Sequence, residues 1–132
     1  MSQEKVEVVR GIFERWAAGD FAAGRDNLDP TVVFIVPPDV PEFGVFIGPE
    51  GVNTFMGRWL EQWEQVAIEA EDFQSAGDTV LARAMLHATG RVSGIEVELP
   101  YFMLFSFRGN KIIRVETVMH EAEALEAAGL SK

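Results

Sequence analysis

A chain of 132 residues, 48% of them hydrophobic, is the size of one globular domain able to bury about two thirds of its surface. Its 21 acidic side chains against 11 basic ones leave a net charge of −10, which repels nucleic-acid phosphates and anionic membranes and argues against both as partners. The absence of cysteine excludes disulfides, thiolate metal ligands and a thiol nucleophile.

Glu4 and Glu7 stand where a signal peptide would be apolar, and no stretch is suited to span a bilayer, so the expected location is cytoplasmic. Between Ser2 and Gly19, the residues Val6, Val9, Ile12, Phe13 and Trp16 recur at three- and four-residue steps. That is one face of a helix, with Ser2 as N-cap and Gly19 as its stop. Asp20 is placed to cap a second, shorter helix running to about Leu28, closed by Asp29-Pro30. Thr31 to Val36 is β-branched and aromatic and predicts a strand. Pro37, Pro38 and Pro41 predict a stiff loop after it.

Gly48-Pro49-Glu50 reads as the start of a third helix, with a carboxylate beside the positive end of the dipole. Its apolar stripe is Val52, Phe55, Met56, Trp59, Leu60 and Trp63. Strands follow over Val66–Gln74, Thr79–Gly90, Ile95–Phe107 and Lys111–Met119, with turns at Ala76-Gly77-Asp78, Val92-Ser93-Gly94 and Gly109-Asn110. In the third of these, Ile95, Val97, Leu99, Tyr101, Met103, Phe105 and Phe107 alternate strictly, so one face is buried along roughly 40 Å of strand. Pro100 interrupts the run and predicts a bulge or a local edge. Ala122 to Ala128 closes the chain as a short helix ended by Gly129.

Helices lying mostly ahead of a run of antiparallel strands predict an α+β domain over residues 1–132. The expected shape is a cone: a strongly curved antiparallel sheet with three helices on its concave side. Such a cone leaves an apolar interior suited to a small molecule.

Several stretches resemble the nuclear-transport-factor-2-like superfamily in its SnoaL-like or ketosteroid-isomerase-like branch, a cystatin-like α+β barrel. They are Trp16-Ala17-Ala18-Gly19-Asp20, Asp29-Pro30-Thr31-Val32-Val33-Phe34, Gly48-Pro49-Glu50-Gly51-Val52, Gly77-Asp78-Thr79-Val80-Leu81-Ala82-Arg83, Phe107-Arg108-Gly109-Asn110-Lys111-Ile112-Ile113 and Glu121 through Leu130. The resemblance covers nearly the whole chain and implies the fold; it does not imply an activity, because this scaffold hosts enzymes, binding proteins and interaction modules alike. Ketosteroid isomerases carry a base, an oxyanion-binding tyrosine and a neutral aspartic acid; the corresponding positions hold Val36, Ile12 and Met103. The Asp-Arg-Asp set of limonene epoxide hydrolases corresponds to Leu86, Ala84 and Thr117, and the aspartate of the SnoaL cyclase also falls at Thr117. The catalytic positions of the relatives are therefore occupied by groups that do not move protons.

By the same resemblance the pocket is expected to be lined by Ile12, Trp16, Val33, Ile35, Phe55, Trp59, Ala84, Leu86, Tyr101, Met103, Phe105, Val115 and Thr117. Catalytic candidates are Asp39 on the Pro-rich loop as a base, His87 as a proton shuttle, and Tyr101 through its hydroxyl. Each has a plainer reading: a solvated loop carboxylate, a histidine on the outer sheet face, and a tyrosine satisfying a core partner. His120 reads as the residue before the last helix. Two histidines without short ligand spacing predict no metal site, and no cofactor is expected. Glu69, Glu71, Glu96 and Glu98 are expected on solvated faces with cross-strand partners such as Arg83 or Arg91. Phe102, Leu104, Met85 and Val118 on the outer face form an apolar patch, which predicts a homodimer through that face, as in relatives. Three functions remain open: binding of a small apolar molecule, an isomerase, cyclase or lyase acting on a hydrophobic steroid- or polyketide-like substrate, or a dimerising interaction module without a ligand.

Overall fold

The computed structural model describes residues 2–20, 24–38 and 44–129. Asp39 and Pro41 lie outside the described residues. Helix α1 (Ser2–Ala17) starts at Ser2 itself and presents the apolar stripe inward: Val6, Val9, Ile12 and Phe13 are all buried. Behind it, Asp20 binds back to Arg15, with Oδ2 2.9 Å from Nη2. The expected second helix is reduced, among the described residues, to a 3-10 turn at Arg25–Asn27.

A six-stranded sheet follows, formed by β1 (Leu28–Val36), β2 (Gly44–Ile47), β3 (Trp63–Ala76), β4 (Thr79–Gly90), β5 (Glu96–Arg108) and β6 (Lys111–Val118), in the order β2-β1-β6-β5-β4-β3. Every pairing is antiparallel except β1 with β6, which is parallel, so the expectation of an antiparallel sheet is corrected at that one pairing. β2 is an additional short strand, pairing Val33 with Ile47 and Val36 with Gly44. Helix α2 (Gly48–Glu61) starts where Gly48 turns the chain at φ 75, with Pro49 in its first turn. It ends before Trp63, which already belongs to β3.

Burial of the predicted stripe in β5 holds only from Tyr101 to Phe107; Ile95 and Leu99 are exposed and Val97 is half-buried, which corrects the expectation of a face buried along the whole strand. Register with β4 runs without a shift from Thr79↔Ser106 to Thr89↔Glu96, so Pro100 makes no bulge. Pairing with β6 begins only at Phe102, and Pro100 therefore sits where β5 has a free edge on that side. Tyr101, Met103, Phe105 and Phe107 face one core; Phe102 and Leu104 face another. The first core lies on the concave side, under α1 and α2, and is knitted by aromatic contacts. Phe13 meets Trp16 edge-on at 4.9 Å and Phe105 at 5.9 Å, and Phe55 meets Phe34 edge-on at 5.0 Å.

The second core lies on the opposite, convex side of the sheet. Helix α3 (Glu121–Ala128) packs on the convex face, where its Ala124 and Ala128 cover Leu81, Phe102, Leu104 and Val118. The apolar patch from which a homodimer was expected is thus largely covered within the chain, since Phe102, Leu104 and Val118 are buried and only Met85 is half-buried. On the same face Arg83 binds Asp72 and Glu121 rather than Glu69 or Glu71. Arg91 binds the backbone oxygens of Glu61 and Trp63, tying the end of α2 to β3. Among the described residues, no helix is long and apolar enough to cross a membrane.

Candidate functional site

The concave face is not filled. Between α1, α2 and the sheet lies a cavity of about 140 Å³. Each wall follows from the periodicity of its element. The helical steps of α1 bring Ile12 and Trp16 to it, and those of α2 bring Val52, Phe55, Met56 and Trp59. The period of two on the strands delivers Phe34 and Val36 from β1, Leu99, Tyr101, Met103 and Phe105 from β5, and Val115 and Thr117 from β6. Leu28, Ile68, Leu86, Ile112 and Met119 complete the apolar wall.

Of the residues expected there, Ile12, Trp16, Phe55, Trp59, Leu86, Tyr101, Met103, Phe105, Val115 and Thr117 lie on the wall. Val33 and Ile35 do not. The strand has the opposite phase, with Val32, Phe34 and Val36 buried inward and Val33 and Ile35 half-buried on the other side. A run that is apolar on both faces carries no alternation from which to read the phase. Ala84 is buried in the concave core opposite Tyr101, but its methyl group forms no part of the wall.

Arg25 and Asn53 were not legible as wall residues. They are solvent-exposed members of the lining and so form its rim, where Arg25 Nη2 donates to Asn53 Oδ1 at 2.9 Å. Arg25 is brought there by the 3-10 turn. The turn is drawn tight against α1 by Gly24: at φ 89 a Cβ on this residue would stand 2.9 Å from Ile12 Cδ1.

Polar groups on the wall are few. Tyr101 is buried, and burial pushes its phenol above its ordinary pKa, so it stays protonated and acts as a hydrogen-bond donor rather than a base. Neither its hydroxyl nor that of Thr117 has a hydrogen-bond partner among the described residues. The indole nitrogen of Trp16, another wall residue, is buried without a partner, as is that of Trp63, which packs on Trp59 at 6.2 Å behind the wall. Among the described residues no aspartate, glutamate or histidine lines the cavity.

His87, the expected shuttle, lies on the outer sheet face. Its Nε2 is 3.2 Å from Glu69 Oε1 and its Nδ1 is 3.2 Å from Glu98 Oε2. Two carboxylates thus orient this ring far from any apolar chamber. His120 precedes α3, its backbone oxygen accepting from Ala124 N at 3.0 Å. No group of three or more metal-ligating side chains occurs among the described residues.

A cone of curved sheet around an apolar chamber defines the class. Residues 9–115 match the SnoaL-like domain family, and the chain belongs to that family. Solved structures agree in fold. A SnoaL-like polyketide cyclase, so described without proof of activity, from Jannaschia sp. CCS1 is 20% identical, with a TM-score of 0.78 over 99% of this chain and 94% of that one. An NTF2-like protein from Burkholderia thailandensis is 19% identical, with a TM-score of 0.80 over 95% and 96%. A protein with a ketosteroid isomerase-like fold from Catenulispora acidiphila, solved in complex with trimethylamine, is 17% identical, with a TM-score of 0.72 over 99% and 96%. At these identities the likeness is one of fold. No curated protein matches the sequence significantly.

Proposed function

We propose that the chain binds a small, largely apolar molecule in the concave cavity. The observation that carries this reading is the chamber itself: about 140 Å³ of space walled by aliphatic and aromatic side chains, with the hydroxyls of Tyr101 and Thr117 left without hydrogen-bond partners among the described residues. An apolar cavity of roughly this size holds one benzene ring. A flat ring with a hydrogen-bond acceptor suits the walls and the two hydroxyls together. The open chamber also supports this reading over a ligand-free interaction module, in which helical side chains would fill the cone.

Isomerase- or cyclase-type chemistry is the second reading, favoured by Tyr101 alone. A protonated phenol in a desolvated site polarises a carbonyl, which is one half of an enolisation. The described wall supplies no base for the other half.

Trp16 and Trp59 on the wall make the test direct. Titration with toluene, benzyl alcohol and benzaldehyde, followed by tryptophan emission and by thermal unfolding, should give saturable changes and a raised Tm at millimolar probe. Unchanged emission and unchanged Tm with all three compounds would overturn the reading.

A further inference from the structure

We infer that the ligand is an amphiphilic organic acid: a carboxylate held at the rim by Arg25, with a single ring or short branched chain inside the cavity. The inference rests on the cavity being a binding site and concerns what selects its occupant.

The argument starts from charge. In a chain with 21 acidic residues against 11 basic ones, most cations have carboxylates at hand. Lys5, Arg10, Arg15, Arg83, Arg108 and Arg114 each have one within ion-pair distance. Arg25 does not, among the described residues, and neither do Arg58, Arg91 and Lys111. Those three lie outside the cavity lining, with Arg91 and Lys111 on backbone oxygens, whereas Arg25 is part of it and has the neutral amide of Asn53 as its partner. The one charged side chain on the described wall is therefore a cation whose charge no carboxylate among the described residues answers.

Its setting suits a planar anion. A guanidinium presents several N–H donors in a fixed fork, and the bond to Asn53 uses one nitrogen and leaves others unengaged. Accepting that bond also orients Asn53, whose amide nitrogen is a further donor at the same rim. Within reach of these donors the wall turns apolar at once, with Val52, Phe55 and Met56 from the helix that carries Asn53. A carboxylate on a greasy body matches that sequence of surfaces. A dianion would call for a second cation, and the described wall has none. The net charge of −10 repels anions at long range, so selection of an acid must come from this local contact.

The experiment compares 3-phenylpropionate with its neutral counterpart 3-phenylpropanol, by calorimetry and tryptophan emission, in the wild type and in Arg25→Gln and Arg25→Lys. Arg25 is exposed, so these variants fold. The expected result is acid binding at least tenfold tighter than alcohol binding in the wild type. Arg25→Gln should weaken the acid at least tenfold and change the alcohol less than twofold; Arg25→Lys should recover part of the loss. Equal affinity for acid and alcohol in the wild type would overturn the inference and leave the cavity reading intact. A preference for the acid that survives Arg25→Gln would overturn the assignment to Arg25. Binding of neither compound would overturn the cavity reading and this inference with it.

Discussion

Tyr101→Phe separates the apolar part of the cavity from its polar part, and the two readouts should move in opposite directions. In the unliganded protein the hydroxyl is withdrawn from bulk water and has no protein partner among the described residues. Leaving such a group unsatisfied costs about 1–3 kcal/mol, and the lower figure applies where a cavity admits some water. Removing it should stabilise the protein by about 1 kcal/mol. For 132 residues at about 2.1 cal/mol/K each, the entropy of unfolding is roughly 0.28 kcal/mol/K, which converts 1 kcal/mol to a rise of about 3–4 °C in Tm. Calorimetry or urea unfolding followed by tryptophan emission measures this. The same substitution should weaken benzaldehyde, which offers the hydroxyl an acceptor, by about fivefold and leave toluene unchanged. A loss of 1 kcal/mol or more in the unliganded variant would refute the reasoning, because it would mean that the hydroxyl is already hydrogen-bonded.

Tyr101 is the only tyrosine in the chain, so its titration can be followed by tyrosinate absorbance without overlap. Its folded pKa is raised by burial, so the folded state keeps a proton that the unfolded state gives up above about pH 10. Stability should be fully present below that pH and fall as pH rises further, by up to about 1.4 kcal/mol per unit, and this slope should be absent in Tyr101→Phe. Gly24→Ala forces a left-handed backbone on a residue with a side chain and drives its methyl group onto Ile12. A loss of about 1–2 kcal/mol is expected, and urea unfolding measures it. Phe55→Ala removes a buried ring that packs on Phe34 and Phe46 and forms part of the wall. It should cost about 3–5 kcal/mol and enlarge the chamber enough for naphthalene to raise Tm more than toluene does.

The parts of this fold legible in sequence are those where a single face is buried. The stripe from Tyr101 to Phe107 alternates because one side of β5 packs on the concave core, and α1 and α2 show their helical steps for the same reason. The two-residue turn at Gly109-Asn110 is legible because glycine supplies the φ of 63 that it needs. β1 escaped correct phasing because Val33 and Ile35 are as apolar as Val32, Phe34 and Val36. β2 has four residues, too few for a period to emerge after the proline-rich stretch. The place of α3 on the convex face depended on Leu81, Phe102, Leu104 and Val118 needing a cover from within the chain, which the local pattern of Ala122 to Ala128 does not announce. Arg25 was invisible as a rim residue because its position is set by a tertiary contact, the approach of Gly24 to Ile12, and not by any spacing around it.

A crystal of the protein exposed to toluene offers the plainest measurement on the chamber. The account requires one ring's density enclosed by Phe55, Met103, Phe105 and Trp16. Side chains packed solidly across that space, with no room for the ring, would contradict it.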